Sequence, residues 1–219
     1  RCCSSAASDV YKRQVDCIYR RLDDTFLDPK VFNKESLIGV PGLFKCWKKG
    51  NVGIINALGT GVADDKAVYS YVNKMIVYYL GEQPKLNQVE TFLCENKVHR
   101  QHVIENIAKL VVKPANASGG YGIMIGPKAP KKEREEMIKK IKKNPRDFVA
   151  QPLEILSTIP TICENGIEPR HLDLRPFILT GKTSYVTTGG LTRVALRKGS
   201  TIVNSSQGGG SKDTMVVDA

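Results

Sequence analysis

Lys113 ends a β-branched run, Leu110-Val111-Val112-Lys113-Pro114, and a glycine-rich segment, Ser118-Gly119-Gly120-Tyr121-Gly122, follows it closely. Glycine lets a backbone come close to phosphate oxygens, and successive N–H groups in such a turn form a nest for anions. A lysine at the end of the preceding strand adds a compact positive charge for the same oxygens. The spacing is not the GxxxxGK[ST] of a P-loop. It is not a dinucleotide fingerprint either, because a strand, Ile123-Met124-Ile125-Gly126, follows the glycines instead of a helix. A hairpin also uses glycine for steric reasons alone, so the turn by itself fits phosphate binding and plain chain reversal equally.

A second group is Pro169-Arg170-His171-Leu172-Asp173-Leu174-Arg175-Pro176-Phe177. Strand alternation puts His171, Asp173 and Arg175 on one face and Leu172 and Leu174 on the other. Asp173 and Arg175 alone make an ordinary surface pair; joined by Arg193, the arginines would supply cations for a transferring phosphoryl group. A third group sets Asn204 before the glycines of residues 208–210. It reads either as a strand-terminal ligand-binding loop or as a flexible tail. The six cysteines are scattered without a CxxC pair, and the three histidines are not at ligand spacing with them, so neither a zinc site nor a disulfide framework is indicated. Reduced thiols fit a cytoplasmic setting.

The elements that must carry these groups follow from periodicity. The 219 residues are 41% hydrophobic, which excludes a disordered chain, and no apolar run approaches a membrane span. The net charge of +11 raises the question of nucleic acid. Residues 128–147 carry nine Lys/Arg against four Asp/Glu, nearly half of that excess. They read as one helix with Pro130 in its first turn, acids early, lysines late, and a narrow stripe of Met137, Ile138 and Ile141. A solvated helix on a sheet accounts for the charge, and no RNP-like or zinc-finger pattern argues otherwise.

Residues 1–14 share no pattern with the rest and are set aside as a non-native or disordered prefix. Residues 15–106 read as an α/β layer. Strands are expected at 15–19 and 52–56, a short helix at 40–49, and a long helix at 64–80, where Val68, Tyr71, Val72, Met75, Ile76 and Tyr79 recur at helical spacing. The Gly turn of residues 56–65 feeds that helix and suits a substrate carboxylate. Residues 107–156 and 157–219 form two further segments, strand-rich and without internal repeats. Strands are expected at 172–179, 184–186, 192–196 and 201–203.

Eight blocks in this order resemble the circularly permuted ATP-grasp family, type 2: VDCIYRRLDDTFLDP, GVPGL, NALGTGVADDKAVY, LVVKPANASGGYGIMIGP, AQPLEILSTIPT, PRHLDLRPF, GGLTRVAL and VNSSQGGGSKDT. The resemblance implies an α+β fold, an α/β layer followed by ATP-grasp lobes, with two antiparallel sheets sandwiching the nucleotide. Residues 107–156 would be the lid and 157–219 the core strands. Lys113 matches the lysine that reaches the ATP phosphates, and Ser118, Gly119, Gly120, Tyr121 and Gly122 match the lid over them. Gln151, Pro152 and Leu153 match the hinge whose backbone binds adenine. Arg175 and Arg193 would face the γ-phosphate and the acyl-phosphate intermediate. Asp173 and Asn204 are the metal candidates, although Ile202 stands where the usual acid precedes the asparagine.

The implied activity is an ADP-forming carboxylate–amine ligase using ATP and Mg2+, with small-molecule or peptide substrates and neither nucleic acid nor membrane as partner. A non-catalytic nucleotide- or peptide-binding scaffold is the alternative, and a basic RNA-binding module ranks last. The resemblance also implies a C-terminal piece of a longer chain, inactive alone, whose metal-binding acids lie before Val15.

Overall fold

The structure, a computed structural model, describes residues 14–117, 121–164, 166–201, 203 and 208–216. The chain divides into two compact units between residues 87 and 88.

In the first unit β1 (Cys17–Tyr19) runs parallel to β2 (Gly53–Ile55), with Ile18 opposite Ile54. The connection between them contains α1 (Asp24–Leu27) and α2 (Leu43–Lys48). Leu27, Leu43, Cys46 and Val52 form the core, with Ile18, Phe32, Trp47 and Ile54 packed on it. The expected strands and the short helix are therefore present, each trimmed at its ends. Gly50 follows α2 with φ 72°, a left-handed conformation that glycine reaches without a Cβ clash.

Two charged side chains brace this unit from inside. Asp28 is fully buried, and its carboxylate accepts the backbone N–H groups of Lys30, Gly42 and Phe44 at 2.9–3.1 Å. Arg20 is 7% exposed and donates to the carbonyls of Leu22, Asn56 and Ala57 and to the Asp24 carboxylate. Asn56, at φ 60°, returns a bond from its amide to the Arg20 carbonyl. The Gly59 N–H, part of the turn expected to take a substrate carboxylate, is already bonded to Asp24 Oδ2 at 2.9 Å. The turn does bind a carboxylate, but one that belongs to the chain.

The long helix expected at 64–80 is broken. A 3-10 turn (Thr60–Asp64), α3 (Lys66–Tyr69), α4 (Val72–Met75) and a π turn (Ile76–Leu80) replace it. At the break the Ser70 hydroxyl donates to the Ala67 carbonyl, and the N–H groups of Ser70 and Tyr71 make i→i−3 bonds. None of these pieces fully buries a residue, and of the apolar stripe only Val68 and Ile76 are half-buried, so little packing holds a regular helix.

The second unit holds two four-stranded antiparallel sheets, as an α+β ATP-grasp fold requires. The first has the order β3 (Phe92–Leu93), β6 (Phe148–Pro152), β4 (Leu110–Pro114), β5 (Met124–Ile125). Against it lie α5 (Lys97–Glu105) and α6 (Lys131–Lys143), whose Val103, Met137 and Ile141 enclose Leu110, Val112, Met124 and Ala150. The basic helix is thus the expected amphipathic one, with Pro130 at its N-cap.

The second sheet has the order β7 (Thr158–Cys163), β8 (Gly166–Thr180), β9 (Ser184–Ala195), β10 (Gly209–Lys212). The expected strands at 184–186 and 192–196 are one continuous strand. Gly190 allows this: a Cβ there would lie 2.8 Å from the Arg175 carbonyl oxygen, beside the bulge between Pro176 and Ile178. The glycine run after Asn204 is neither a tail nor a bare loop, because Gly209 and Gly210 pair with Ala195 and Val194.

Asp28→Ala leaves three backbone donors without their charged acceptor and is expected to cost the first unit about 2–4 kcal/mol. Urea unfolding followed by fluorescence of Trp47, in the same core, measures it.

Candidate functional site

Strand β4 delivers Lys113 through a period-2 pattern. Its register with β6 places Val112 opposite Ala150 and Lys113 opposite Val149. Val112 and Ala150 point into the helical core, both at 0% exposure. Val111, Lys113, Val149 and Gln151 therefore share the opposite face. There Lys113 and Gln151 are diagonal neighbours, within reach of long side chains. The Lys113 ammonium donates to Gln151 Oε1 at 2.7 Å, and Gln151 Nε2 donates to Thr91 Oγ1 at 2.8 Å. Gln151, expected to contribute its backbone to a hinge, here engages Lys113 and Thr91 through its side chain.

Pro152 ends β6 opposite Leu110 and has no N–H to offer; Leu153, next in the segment expected to be the hinge, is half-buried. Of the glycine-rich segment, Ser118, Gly119 and Gly120 lie outside the described residues. Tyr121 is 75% exposed. Gly122, at φ 71°, lies so close to the Pro114 ring that a Cβ would come within 3.0 Å of it. A phosphate-sized anion near Lys113 would meet an ammonium tethered to Gln151, and Gly122, at positive φ against the Pro114 ring, tolerates only glycine.

The second group forms on β8 and β9. Asp173 pairs directly with Arg193 in the antiparallel register. Arg193 Nε donates to Asp173 Oδ1 at 2.9 Å and its Nη2 to Oδ2, a bidentate pair. Arg175, two residues along β8, puts its Nε 3.9 Å from the same Oδ2, with its side chain 58% exposed. The expected meeting of Asp173, Arg175 and Arg193 is therefore real. It differs in one respect: Arg193 is 8% exposed and already neutralised, whereas Arg175 reaches outward. The Arg193 hydrogen bond holds the Asp173 carboxyl below the usual carboxylate range, and the same bond raises the Arg193 guanidinium. His171 Nδ1 lies 2.7 Å from the Leu156 carbonyl, which only accepts, so that nitrogen carries the proton and ties the segment after the hinge to β8.

The metal candidates do not make a site as described. Both oxygens of Asp173 accept from Arg193, Asn204 and Ile202 lie outside the described residues, and no group of three or more His, Cys, Asp or Glu suited to a metal occurs among the described residues. A hard divalent cation needs several oxygen ligands. No helix among the described residues is long and apolar enough to cross a membrane.

Sequence reasoning missed Thr91. It sits one residue before a two-residue strand, too short for any alternation to register, and only its pairing partner β6 reveals it. Arg20 and Asp28 were also missed as bracing residues, because partners such as Ala57 and Gly42 lie far along the chain, where no local pattern reports them.

Comparison with known proteins agrees with the geometry. A model of the family described as circularly permuted ATP-grasp type 2 matches residues 7–195. The uncharacterized protein sll0335 of Synechocystis sp. is 55% identical over 94% of this chain and 43% of its own length. The uncharacterized protein ML0605 of Mycobacterium leprae is 53% identical over 94% of this chain and 37% of its own. A protein of Frankia casuarinae named "Putative glutamate--cysteine ligase 2-2" is 45% identical over 93% of this chain and 23% of its own. The chain spans less than half the length of each of these relatives.

Asp173 has its pKa lowered on folding, so its pairing stabilises above the ordinary carboxylate value of about 4 and is lost as pH falls through the depressed value. Asp173→Asn is accordingly expected to lower the urea midpoint at pH 7, with the gap to the parent narrowing below about pH 4.

Proposed function

The chain belongs to the circularly permuted ATP-grasp type 2 family, and on that premise we propose that it forms the ATP-binding part of an ATP-dependent carboxylate–amine ligase. The observation that carries this reading is Lys113, held at 2.7 Å by Gln151 on a sheet face opposite the helical core, with the glycine-rich segment following its strand. Lys113 binds the ATP phosphates, and the backbone at Leu153 receives adenine.

Arg175 and Arg193 supply positive charge where the transferring phosphoryl group gains negative charge. In the first step a substrate carboxylate oxygen bonds to the γ-phosphorus, the bond to the bridging oxygen breaks, and ADP leaves. In the second an amine attacks the acyl carbon, gives up its proton, and inorganic phosphate departs. Magnesium commonly accompanies ATP in phosphoryl transfer, but Asp173 in its bidentate pair does not fit a metal, so no step here passes through one. The ligase name of the Frankia relative supports the reaction class. Its glutamate and cysteine are not carried over, because less than a quarter of that protein is matched.

One observation favours a second reading. Arg193, needed at the γ-phosphate, is closed onto Asp173, as it would be in a nucleotide- or peptide-binding scaffold without catalysis. ADP release from the whole protein, screened over amino acids and short peptides, separates the two.

Lys113→Ala is expected to raise the Kd for ATP by about 10- to 100-fold, the worth of one charged hydrogen bond. Calorimetric titration measures it, and unchanged affinity overturns the assignment.

A further inference from the structure

Beside the Lys113–Gln151 bond lies a hydroxyl to which the proposed function assigns no part. Thr91 stands just before β3, the edge strand paired with β6. Its Oγ1 donates to the Val89 carbonyl at 3.1 Å and accepts from Gln151 Nε2 at 2.8 Å. The direction of the whole chain of bonds is fixed at both ends. The Val89 carbonyl only accepts, so it takes the hydroxyl proton and leaves Thr91 an acceptor. An ammonium only donates, so Lys113 requires the oxygen of the Gln151 amide. The amide thus has one orientation that satisfies both neighbours, with its nitrogen on Thr91 and its oxygen on Lys113.

We infer that Thr91 is a positioning residue: by fixing the amide orientation of Gln151 it holds the Lys113 ammonium where it meets phosphate. Without the Thr91 acceptor the amide is free to rotate. Rotation presents an NH2 to the ammonium, and Lys113 loses the Gln151 oxygen as an acceptor. The inference rests on the reading of Lys113 as an ATP-binding lysine, but the bond chain exists without ATP, and this allows the two to be tested separately.

Thr91→Val keeps the size and branching of the side chain and removes the acceptor; Thr91→Ser keeps the acceptor. The ligand-free readout is the rate at which a water-soluble N-hydroxysuccinimide ester acylates Lys113, followed by mass spectrometry against the exposed lysines of α6. Thr91→Val and Gln151→Met are expected to change that rate by about threefold or more, as loss of one hydrogen bond implies. Thr91→Ser should match the parent. The ligand-bound readout is ATP affinity, expected to weaken about three- to tenfold in Thr91→Val, to recover in Thr91→Ser, and to be indifferent to Thr91→Val once Lys113→Ala is present.

An altered acylation rate with no ATP binding by the parent chain would uphold the positioning role and overturn the ATP reading. An unaltered rate in Thr91→Val, with circular dichroism showing an intact fold, overturns the inference, as does an undiminished effect of Thr91→Val in the Lys113→Ala background.

Discussion

The antiparallel pairing of β4 with β6 is the constraint on which the candidate nucleotide site depends. Side chains alternate along both strands, so one register decides at once what faces the core and what faces the site. Val112 and Ala150, opposite each other, are fully buried under α5 and α6. That burial leaves no freedom for Lys113 and Gln151, which are carried on the other face. A slip of one residue would drive the lysine into the core, where an unpaired ammonium is costly. The apolar packing thus fixes the position of a charge it never touches.

The second sheet works by a different rule. Its arginines are placed by cross-strand pairing, with Asp173 and Arg193 directly opposed, while Val194 and Ala195, next along β9, are buried. The two cations differ in consequence: one is bound in a bidentate pair and nearly buried, the other extends into solvent. This asymmetry was not legible in the residues, since Arg175 and Arg193 look equivalent until the register is known.

What sequence conveyed, and what it did not, follows from how local each signal is. Strand β4 and the amphipathic α6 are set by neighbours within a few positions: β4 was read with its bounds as observed, and α6 ends at Lys143 where the helix was expected to reach 147. The helix at 64–80 had the strongest periodicity in the chain and is broken, because periodicity reports an apolar face and not a partner for it. Thr91 had no local signal at all: its role comes from Gln151, 60 positions away. The glycines after Asn204 read as a loop or a tail, and only the edge of β9, with which Gly209 and Gly210 pair, makes a strand of them.

The closed pair on β8 and β9 has a consequence for how any anion enters. The Nε and Nη2 donors of Arg193 are held by Asp173, so a phosphoryl oxygen takes over those two hydrogen bonds only as Asp173 gives them up. A neutral ligand has no means of forcing that exchange, and a weakly charged one gains little from it. Under the proposed function, Asp173 is then a competitor built into the chain, one that filters ligands by how strongly they can displace it.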